Sequence, residues 1–167
     1  PRRDDPWVLG FAFTDCPIFT EEEAAVRPPT SYGSTREGSP TWPRVLRNLP
    51  ASAPGKRTWW ELVRERWQDD LQSFQDAYGT GFASWDDLLE AQNWRPLADL
   101  SNERERADNL AFLERIVERY YQVATSAVRR HAPNHLVFGD KLNANTNGGD
   151  TVVAVTARHT DLIFYQM

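Results

Sequence analysis

Polar side chains follow each of three apolar runs in this chain, and several of them could take part in acid–base chemistry or hydrogen bonding. Asp15 and Cys16 follow the first run, residues 140–145 the second, and residues 165–166 the third. Because the active site of a parallel α/β protein lies at the carboxyl ends of its strands, we expect these side chains to share one rim. The candidate site residues at this rim are Asp15, Cys16, Asp140, Lys141, Asn143, Asn145, Tyr165 and Gln166. The competing interpretation is ordinary loop chemistry, because Asp and Asn are common where strands end.

Two aspartates, Asp15 and Asp140, fall on adjacent predicted strands and could form a carboxylate pair for general acid–base work on a glycosidic bond. The alternative pairs one of them with Lys141 in a satisfied ionic network. Cys16 could be the nucleophile of an unrelated α/β hydrolase if its pKa were lowered. No histidine is readily placed beside it, so a small buried thiol is the simpler interpretation. Glu21 follows the first strand closely and is a further candidate, against the alternative of a solvated first helical turn.

The three apolar runs predict strands over Val8–Phe13, His135–Leu142 and Asp161–Gln166. Nearly continuous apolar runs are typical of strands buried on both faces of a parallel sheet. Pro17 ends the first strand, because proline cannot donate to a β-ladder. A parallel strand is normally followed by a covering helix, but the last run has none, and Pro1 is not an initiator Met. We therefore expect the chain to be an interior part of a larger α/β protein.

Helical periodicity fills the intervals between these strands. The spacing of apolar residues predicts one helix over Trp59–Tyr78, with Thr58 as N-cap and Gly79 as C-cap. Further helices are predicted from Ser84, over about 104–130 and over about 150–158. The order strand, helices, strand, helix, strand predicts an α/β fold with parallel, right-handed crossovers.

A stretch over residues 20–56 is rich in Pro, Gly, Ser and Arg and has weak periodicity. Long stretches without secondary structure inside a domain are uncommon and tend to be functional. We predict a loop excursion over one face of the sheet, with Trp42 available to a site. The chain contains seven tryptophans, which could fill the core or serve as platforms for sugar rings.

Composition excludes several classes of function. A net charge of −5 with scattered arginines argues against a nucleic-acid surface or a polybasic membrane patch. No apolar run approaches the roughly 20 residues that span a bilayer, and no signal peptide is visible. One cysteine excludes an internal disulfide, and with three histidines it shows no zinc-binding spacing. We expect neither a metal nor a cofactor.

Two segments carry a resemblance to a known family. Residues 65–67 (Glu-Arg-Trp) and 74–85 (Phe-Gln-Asp-Ala-Tyr-Gly-Thr-Gly-Phe-Ala-Ser-Trp) form the first segment. Tyr120-Tyr121 and residues 130–139 (Arg-His-Ala-Pro-Asn-His-Leu-Val-Phe-Gly) form the second. In this order they resemble agarases and related beta-galactosidases, which are barrel glycoside hydrolases. The resemblance implies a (β/α)8 TIM barrel, of which residues 1–167 form about strands four to six of a single catalytic-type domain.

The resemblance also implies roles for the rim residues. The substrate would be a galactose-containing polysaccharide, with hydroxyls held by Asp140, Lys141, Asn143, Asn145, Tyr165 and Gln166 and the cleft covered by Trp42. In this clan the fourth strand ends in Asn-Glu, and the glutamate is the general acid/base; this chain has Asp15 and Cys16 there. A thiol cannot replace the glutamic acid, so Asp15, or a residue such as Glu21, would take the role. The family's nucleophile, on strand seven, would lie beyond Met167. The alternative is a non-catalytic carbohydrate-binding barrel.

Overall fold

The computed structural model describes residues 5–15, 19–21, 41–143 and 149–166. The strands are β1 (Gly10–Asp15), β2 (Leu136–Asn143) and β3 (Phe164–Gln166). The helices are α1 (Trp42–Arg47), α2 (Pro54–Arg66), α3 (Leu71–Tyr78), α4 (Trp85–Glu90), α5 (Glu103–His131) and α6 (Asp150–His159).

The three strands form one sheet in the order β1-β2-β3, and both pairings are parallel. The predicted α/β class with parallel strands is therefore confirmed for the described residues. Strand β1 approaches β2 very closely at Gly10, where a Cβ atom would lie 2.4 Å from the carbonyl oxygen of Leu136. The register between β1 and β2 shifts twice, once between Phe11 and Ala12 and once between Ala12 and Asp15. These irregularities shape the end of the sheet that carries the candidate site.

The third strand is shorter and less buried than predicted. It begins at Phe164, and the side chains of Phe164 and Tyr165 are 49% and 39% exposed. Asp161, which was predicted to open the strand, instead accepts hydrogen bonds from Arg129 and from the amide of Val137. The Asp161 side chain accepts the Val137 amide hydrogen that a main-chain carbonyl would accept in a regular ladder. Regular pairing of β3 with β2 therefore begins after Asp161, at Phe164.

The single helix predicted over Trp59–Tyr78 is wrong, because the structure divides this range between α2 and α3. Gln68 and Asp69 have φ angles of 52° and 60°, in the left-handed region that cannot continue a helix. Asp70 then caps α3 by accepting a hydrogen bond from the amide of Ser73. Helix α2 also begins earlier, at Pro54, so the predicted N-cap at Thr58 is wrong too.

Other predicted boundaries are confirmed. Gly79 ends α3 with a left-handed φ of 62°, and Ser84 caps α4 by accepting a hydrogen bond from the amide of Asp87. The predicted loop over residues 20–56 is wrong in its last part, since α1 and the start of α2 occupy it. Thr41 caps α1 by accepting a bond from the Arg44 amide. Residues 22–40 of that stretch lie outside the described residues.

The described residues divide into two compact units. The sheet unit contains residues 5–15, 19–21, 114–143 and 149–166, and the helical unit contains residues 41–113. The core of the sheet unit is formed by Phe19, Val117, Tyr121, Val137, Leu142, Val152 and Val155. The core of the helical unit is formed by Trp59, Leu62, Val63, Phe74, Tyr78, Leu88, Phe112 and Leu113. No helix within the described ranges is long and apolar enough to cross a membrane.

Candidate functional site

The strand ends bring the backbone positions of several predicted site residues into adjacent rows. Asp15 is the register partner of Lys141, and Lys141 is in turn the partner of Phe164. The next rows pair Leu142 with Tyr165 and Asn143 with Gln166. Since all three strands are parallel, their carboxyl ends lie at the same edge of the sheet, as the sequence predicted. Cys16 and Asn145 lie outside the described residues.

Asp140 is fully buried and connects two elements. Its Oδ1 atom accepts hydrogen bonds from the amide of Thr14, at 3.0 Å, and from the hydroxyl of Tyr120 on α5, at 3.1 Å. Thr14 lies where the ladder between β1 and β2 shifts, so Asp140 supplies an acceptor that regular pairing would have provided. Asp140 thus fixes the end of β1, the strand that carries Asp15.

The backbone beside Asp140 is also irregular. Gly139 has a φ of 69°, and a Cβ atom there would lie 2.7 Å from Cγ2 of Thr160. Glycine adopts this conformation without steric cost, which explains why it precedes the buried carboxylate. The positive φ at Gly139 and the register shift beside it accompany the hydrogen bond of Asp140 to Tyr120 on α5.

Burial is the main cause that raises the pKa of Asp140, while the neighbouring hydroxyls of Tyr121 and Tyr120 and the Thr14 amide act against it. Burial, together with the charge of Asp140, also raises the pKa of Tyr120. The second oxygen of Asp140, Oδ2, and the hydroxyl of Tyr121 are buried and have no partner in good hydrogen-bond geometry among the described residues, although the Tyr121 hydroxyl is near enough to lower the pKa of the carboxyl. Asp140 is therefore an acid that holds its proton more tightly than an exposed aspartate.

The register bears on the predicted pair of aspartates. Lys141, and not Asp140, lies opposite Asp15, and successive side chains of a strand point to opposite faces. The backbone of Asp15 thus lies beside that of Lys141, and both the carboxylate pair and the ionic network stay predictions. Lys141 is partly exposed and Tyr165 is 39% exposed, so both side chains are accessible in the described structure. Trp42 belongs to the helical unit, where it is 48% exposed at the start of α1.

The surroundings of Glu21 support its candidacy as a site residue. A Cβ atom on Gly149 would lie 2.2 Å from its Oε1 atom, so the carboxylate lies directly against the N-cap of α6. No side chain caps this helix, and Oε1 is buried without a hydrogen-bond partner among the described residues. Phe19 anchors the segment by packing edge-to-face on Tyr120 at 5.3 Å. In the sequence, the only indication of a role for Glu21 is that it is an acidic residue soon after the end of a predicted strand.

Two of the histidines have contacts within the fold. His135 Nε2 lies 3.3 Å from the carbonyl oxygen of Asp5, and His159 Nε2 lies 2.6 Å from Glu118 Oε1. The described residues contain no group of three or more His, Cys, Asp or Glu side chains that could hold a metal ion.

Comparison with known proteins relates this geometry to one group of enzymes. No protein-family model matches the chain. The sequence is 24% identical over 183 residues to Beta-agarase A of Vibrio sp. (strain JT0107), covering 98% of this chain and 18% of that protein. The crystal structure of the agarase AgWH50C matches with a TM-score of 0.74 at 22% identity, covering 96% of this chain and 20% of the agarase. The resemblance to agarases is confirmed.

A second solved structure, of an exo-beta-agarase, matches with the same TM-score of 0.74 at 19% identity, over 97% of this chain and 20% of that one. This chain therefore shares the fold of a part of these agarases. It spans about a fifth of the length of the agarases that it matches.

Proposed function

We propose that this chain forms about strands four to six of a (β/α)8 barrel in an agarase-like glycoside hydrolase that acts on a galactose-containing polysaccharide. The observation that carries the proposal is the alignment of nearly the whole chain, in sequence and in fold, with agarases. The three parallel strands in consecutive order fit a barrel, in which each strand pairs with the next along the chain. The exposed apolar side chains of β3 fit an additional strand packed beside it.

Asp15 is the proposed general acid/base. It ends β1, and its backbone is held at the rim because the adjacent Thr14 amide is bound by the buried Asp140. Asp140 is then a positioning residue, since its hydrogen bonds fix the strand that presents Asp15. Glu21 is the second candidate for the proton, because its buried Oε1 atom makes no hydrogen bond within the described residues.

The sugar hydroxyls are assigned to the remaining rim residues. Lys141 and Tyr165 are accessible in adjoining rows of the sheet and can donate hydrogen bonds. The proposal adds Asn143, Asn145 and Gln166, which follow the same strand ends in the sequence, and Trp42 as an aromatic surface for a sugar ring.

A second function is favoured by one observation, the thiol at Cys16 where the resembling enzymes carry a glutamate. A barrel without a competent acid would still bind polysaccharide through its rim. The second proposal is therefore a non-catalytic carbohydrate-binding protein on the same scaffold.

Agarose hydrolysis by the full-length protein tests the first proposal. Asp15→Asn should lower kcat at least about 100-fold, because removal of a general acid typically costs that much. Glu21→Gln, measured in parallel, shows which carboxyl group supplies the proton. Asp86→Asn, at an exposed position of α4 in the helical unit, is the matched control and should leave kcat unchanged.

The same assay separates the two functions. A wild-type protein that binds agaro-oligosaccharides without cleaving them, and that gains hydrolysis in Cys16→Glu, supports the binding protein. Full activity in both Asp15→Asn and Glu21→Gln would exclude both proposed acids. A protein that neither binds nor cleaves agaro-oligosaccharides would refute both functions.

A further inference from the structure

The helical unit contains a cleft of about 530 Å³ that plays no part in the proposed active site. It lies at the break between α2 and α3 and is bordered by α5. The residues that the argument uses are Arg66, Trp67, Gln68, Asp70 and Arg104 in its wall and Asp108 at its base. We call it the Arg66 cleft.

A buried carboxylate fixes the base of the Arg66 cleft. Asp108 is 2% exposed, and its Oδ1 atom accepts a hydrogen bond from Arg66 Nε at 2.6 Å. Its Oδ2 atom accepts bonds from Trp67 Nε1 and from the Tyr78 hydroxyl, each at 2.8 Å. The guanidinium of Arg66 is thus held by one nitrogen, while its two terminal nitrogens make no hydrogen bond within the described residues. The fork geometry of arginine leaves these N–H groups able to bind an oxyanion.

A second guanidinium lies in the same wall. The Arg104 group is 5.1 Å from the ring centroid of Trp67, which is the distance of a cation–π contact. Arg104 makes no ion pair with any side chain in the described ranges, although Asp108 and Asp70 line the same cleft. Stacking on an indole held by Asp108 restricts the arginine without consuming its hydrogen-bond donors.

Gln68 contributes a polar side chain from a strained backbone. Its φ of 52° is in the left-handed region, which costs a residue with a Cβ atom about 1–2 kcal/mol. The next residue, Asp69, shares this conformation but uses its carboxylate on Arg64 at 2.6 Å. The Gln68 amide makes no such contact among the described residues, and it lines the cleft with one acceptor and two donors.

We propose that the Arg66 cleft binds an acidic saccharide, with the sulfate or carboxylate group between Arg66 and Arg104 and the sugar hydroxyls on Gln68 and Asp70. The choice of a saccharide rests on the proposed function. Asp70 accepts hydrogen bonds from the Ser73 amide and hydroxyl, and these bonds lower the pKa of its carboxyl. A carboxylate beside two arginines disfavours a simple anion and favours a ligand that also carries hydroxyl donors. The cleft thus selects for charge and hydroxyls together.

Calorimetric titration of the full-length protein with a sulfated galacto-oligosaccharide, its desulfated counterpart and inorganic sulfate tests this inference. The sulfated sugar should bind more tightly than the other two, and salt should weaken its binding. Arg104→Leu should lower its affinity about tenfold, as expected for loss of a hydrogen bond to a charged group. Arg104→Lys keeps the charge but loses the stacked guanidinium, so its affinity should fall less than that of Arg104→Leu. Arg115→Leu changes an exposed arginine on the same helix outside the cleft and should have no effect.

Three results would overturn the inference. Unchanged affinity in Arg104→Leu, equal binding of the desulfated sugar, or equal binding of inorganic sulfate would each exclude an acidic-saccharide site. Asp15→Asn serves as the reference for the active site. Binding that is lost in Arg104→Leu but kept in Asp15→Asn supports the cleft even where agarose hydrolysis fails, so the two proposals fail separately.

Discussion

Each unit contains a charged side chain with no exposed surface, Lys56 in the helical unit and Asp140 in the sheet unit, and the surroundings of the two differ. In the helical unit, Lys56 donates hydrogen bonds to the carbonyl oxygens of Arg47, at 2.7 Å, and Ala91, at 3.0 Å. Its ammonium also lies 4.8 Å from the ring centroid of Trp59. In the sheet unit, Asp140 uses only one oxygen, and the other has no partner among the described residues.

This difference extends beyond the two charges. Within the described residues, every buried side-chain polar atom without a hydrogen-bond partner lies in the sheet unit, except Thr80 Oγ1. The helical unit satisfies its buried Glu105 through Arg95 and its Asp108 through three donors. Unsatisfied buried groups are costly, and native proteins retain them mainly where function requires them. The comparison fits the proposal that the sheet unit carries the candidate site, whereas the helical unit satisfies nearly all of its buried polar groups.

The largest expected effect concerns Asp108 in the helical unit. Asp108→Ala leaves the Trp67 and Tyr78 donors without their acceptor and should lower the free energy of unfolding by about 4 kcal/mol. Urea denaturation followed by tryptophan fluorescence measures this, because every tryptophan except Trp7 lies in the helical unit. Asp76→Ala, at an exposed position on α3, is the control and should change stability by less than about 0.5 kcal/mol. If Asp76→Ala lowered the free energy of unfolding by a similar amount, the loss in Asp108→Ala could not be attributed to the buried hydrogen bonds.

The next effect is the pH dependence from Lys56. Burial, assisted by the charge of Arg47, lowers the pKa of Lys56 to about 8. Between this value and 10.5 the unfolded chain binds more protons than the folded one, so stability should rise with pH, by up to about 3 kcal/mol. Lys56→Met should abolish the rise, whereas Lys141→Met should keep it.

Urea denaturation at several pH values provides the measurement. Raised pKa values of Tyr78, Tyr120 and Tyr121 give an opposite slope near pH 10, so the quantity compared is the difference between each variant and the wild type. If the free energy of unfolding of Lys56→Met depended on pH as that of the wild type does, Lys56 would not be the source of the rise in stability.

The smallest effect concerns Asp140. Asp140→Asn keeps an acceptor for Thr14 and Tyr120 and removes a buried charge, so stability at pH 7 should change by less than about 1 kcal/mol. Because the folded-state pKa of Asp140 is raised, its contribution is fully present below the unfolded value of 3.8 and is lost as pH rises through the folded pKa. Urea denaturation followed by circular dichroism, at acid and at neutral pH, should show that this pH-dependent contribution to stability is absent in Asp140→Asn. A loss of several kcal/mol at pH 7 would instead mean that the ionised carboxylate is essential to the sheet.

The parallel strand order, the bounds of α5 and α6, the end of α3 and the start of α4 could be predicted, because apolar patterns and capping residues are signals within the sequence. Gly79 and Ser84 ended and began helices as their backbone and side-chain preferences require. The break at Gln68 escaped prediction, because two non-glycine residues in the left-handed region contradict local propensity. The environment of Asp140 could not be predicted either, because it depends on a register shift and on Tyr120, which lies 20 residues away in the chain. The roles of all the candidate site residues stay predictions: Asp15, Cys16, Trp42, Asp140, Lys141, Asn143, Asn145, Tyr165 and Gln166.

Gly10 has a consequence for how mutations in this protein will be interpreted. A methyl group at this position meets main-chain atoms of the neighbouring strand, which cannot swing aside as a flexible side chain can. Even alanine would therefore push the two strands apart at their amino ends. Because β1 also carries Asp15, Gly10→Ala would lower the activity of the proposed hydrolase although Gly10 has no functional group.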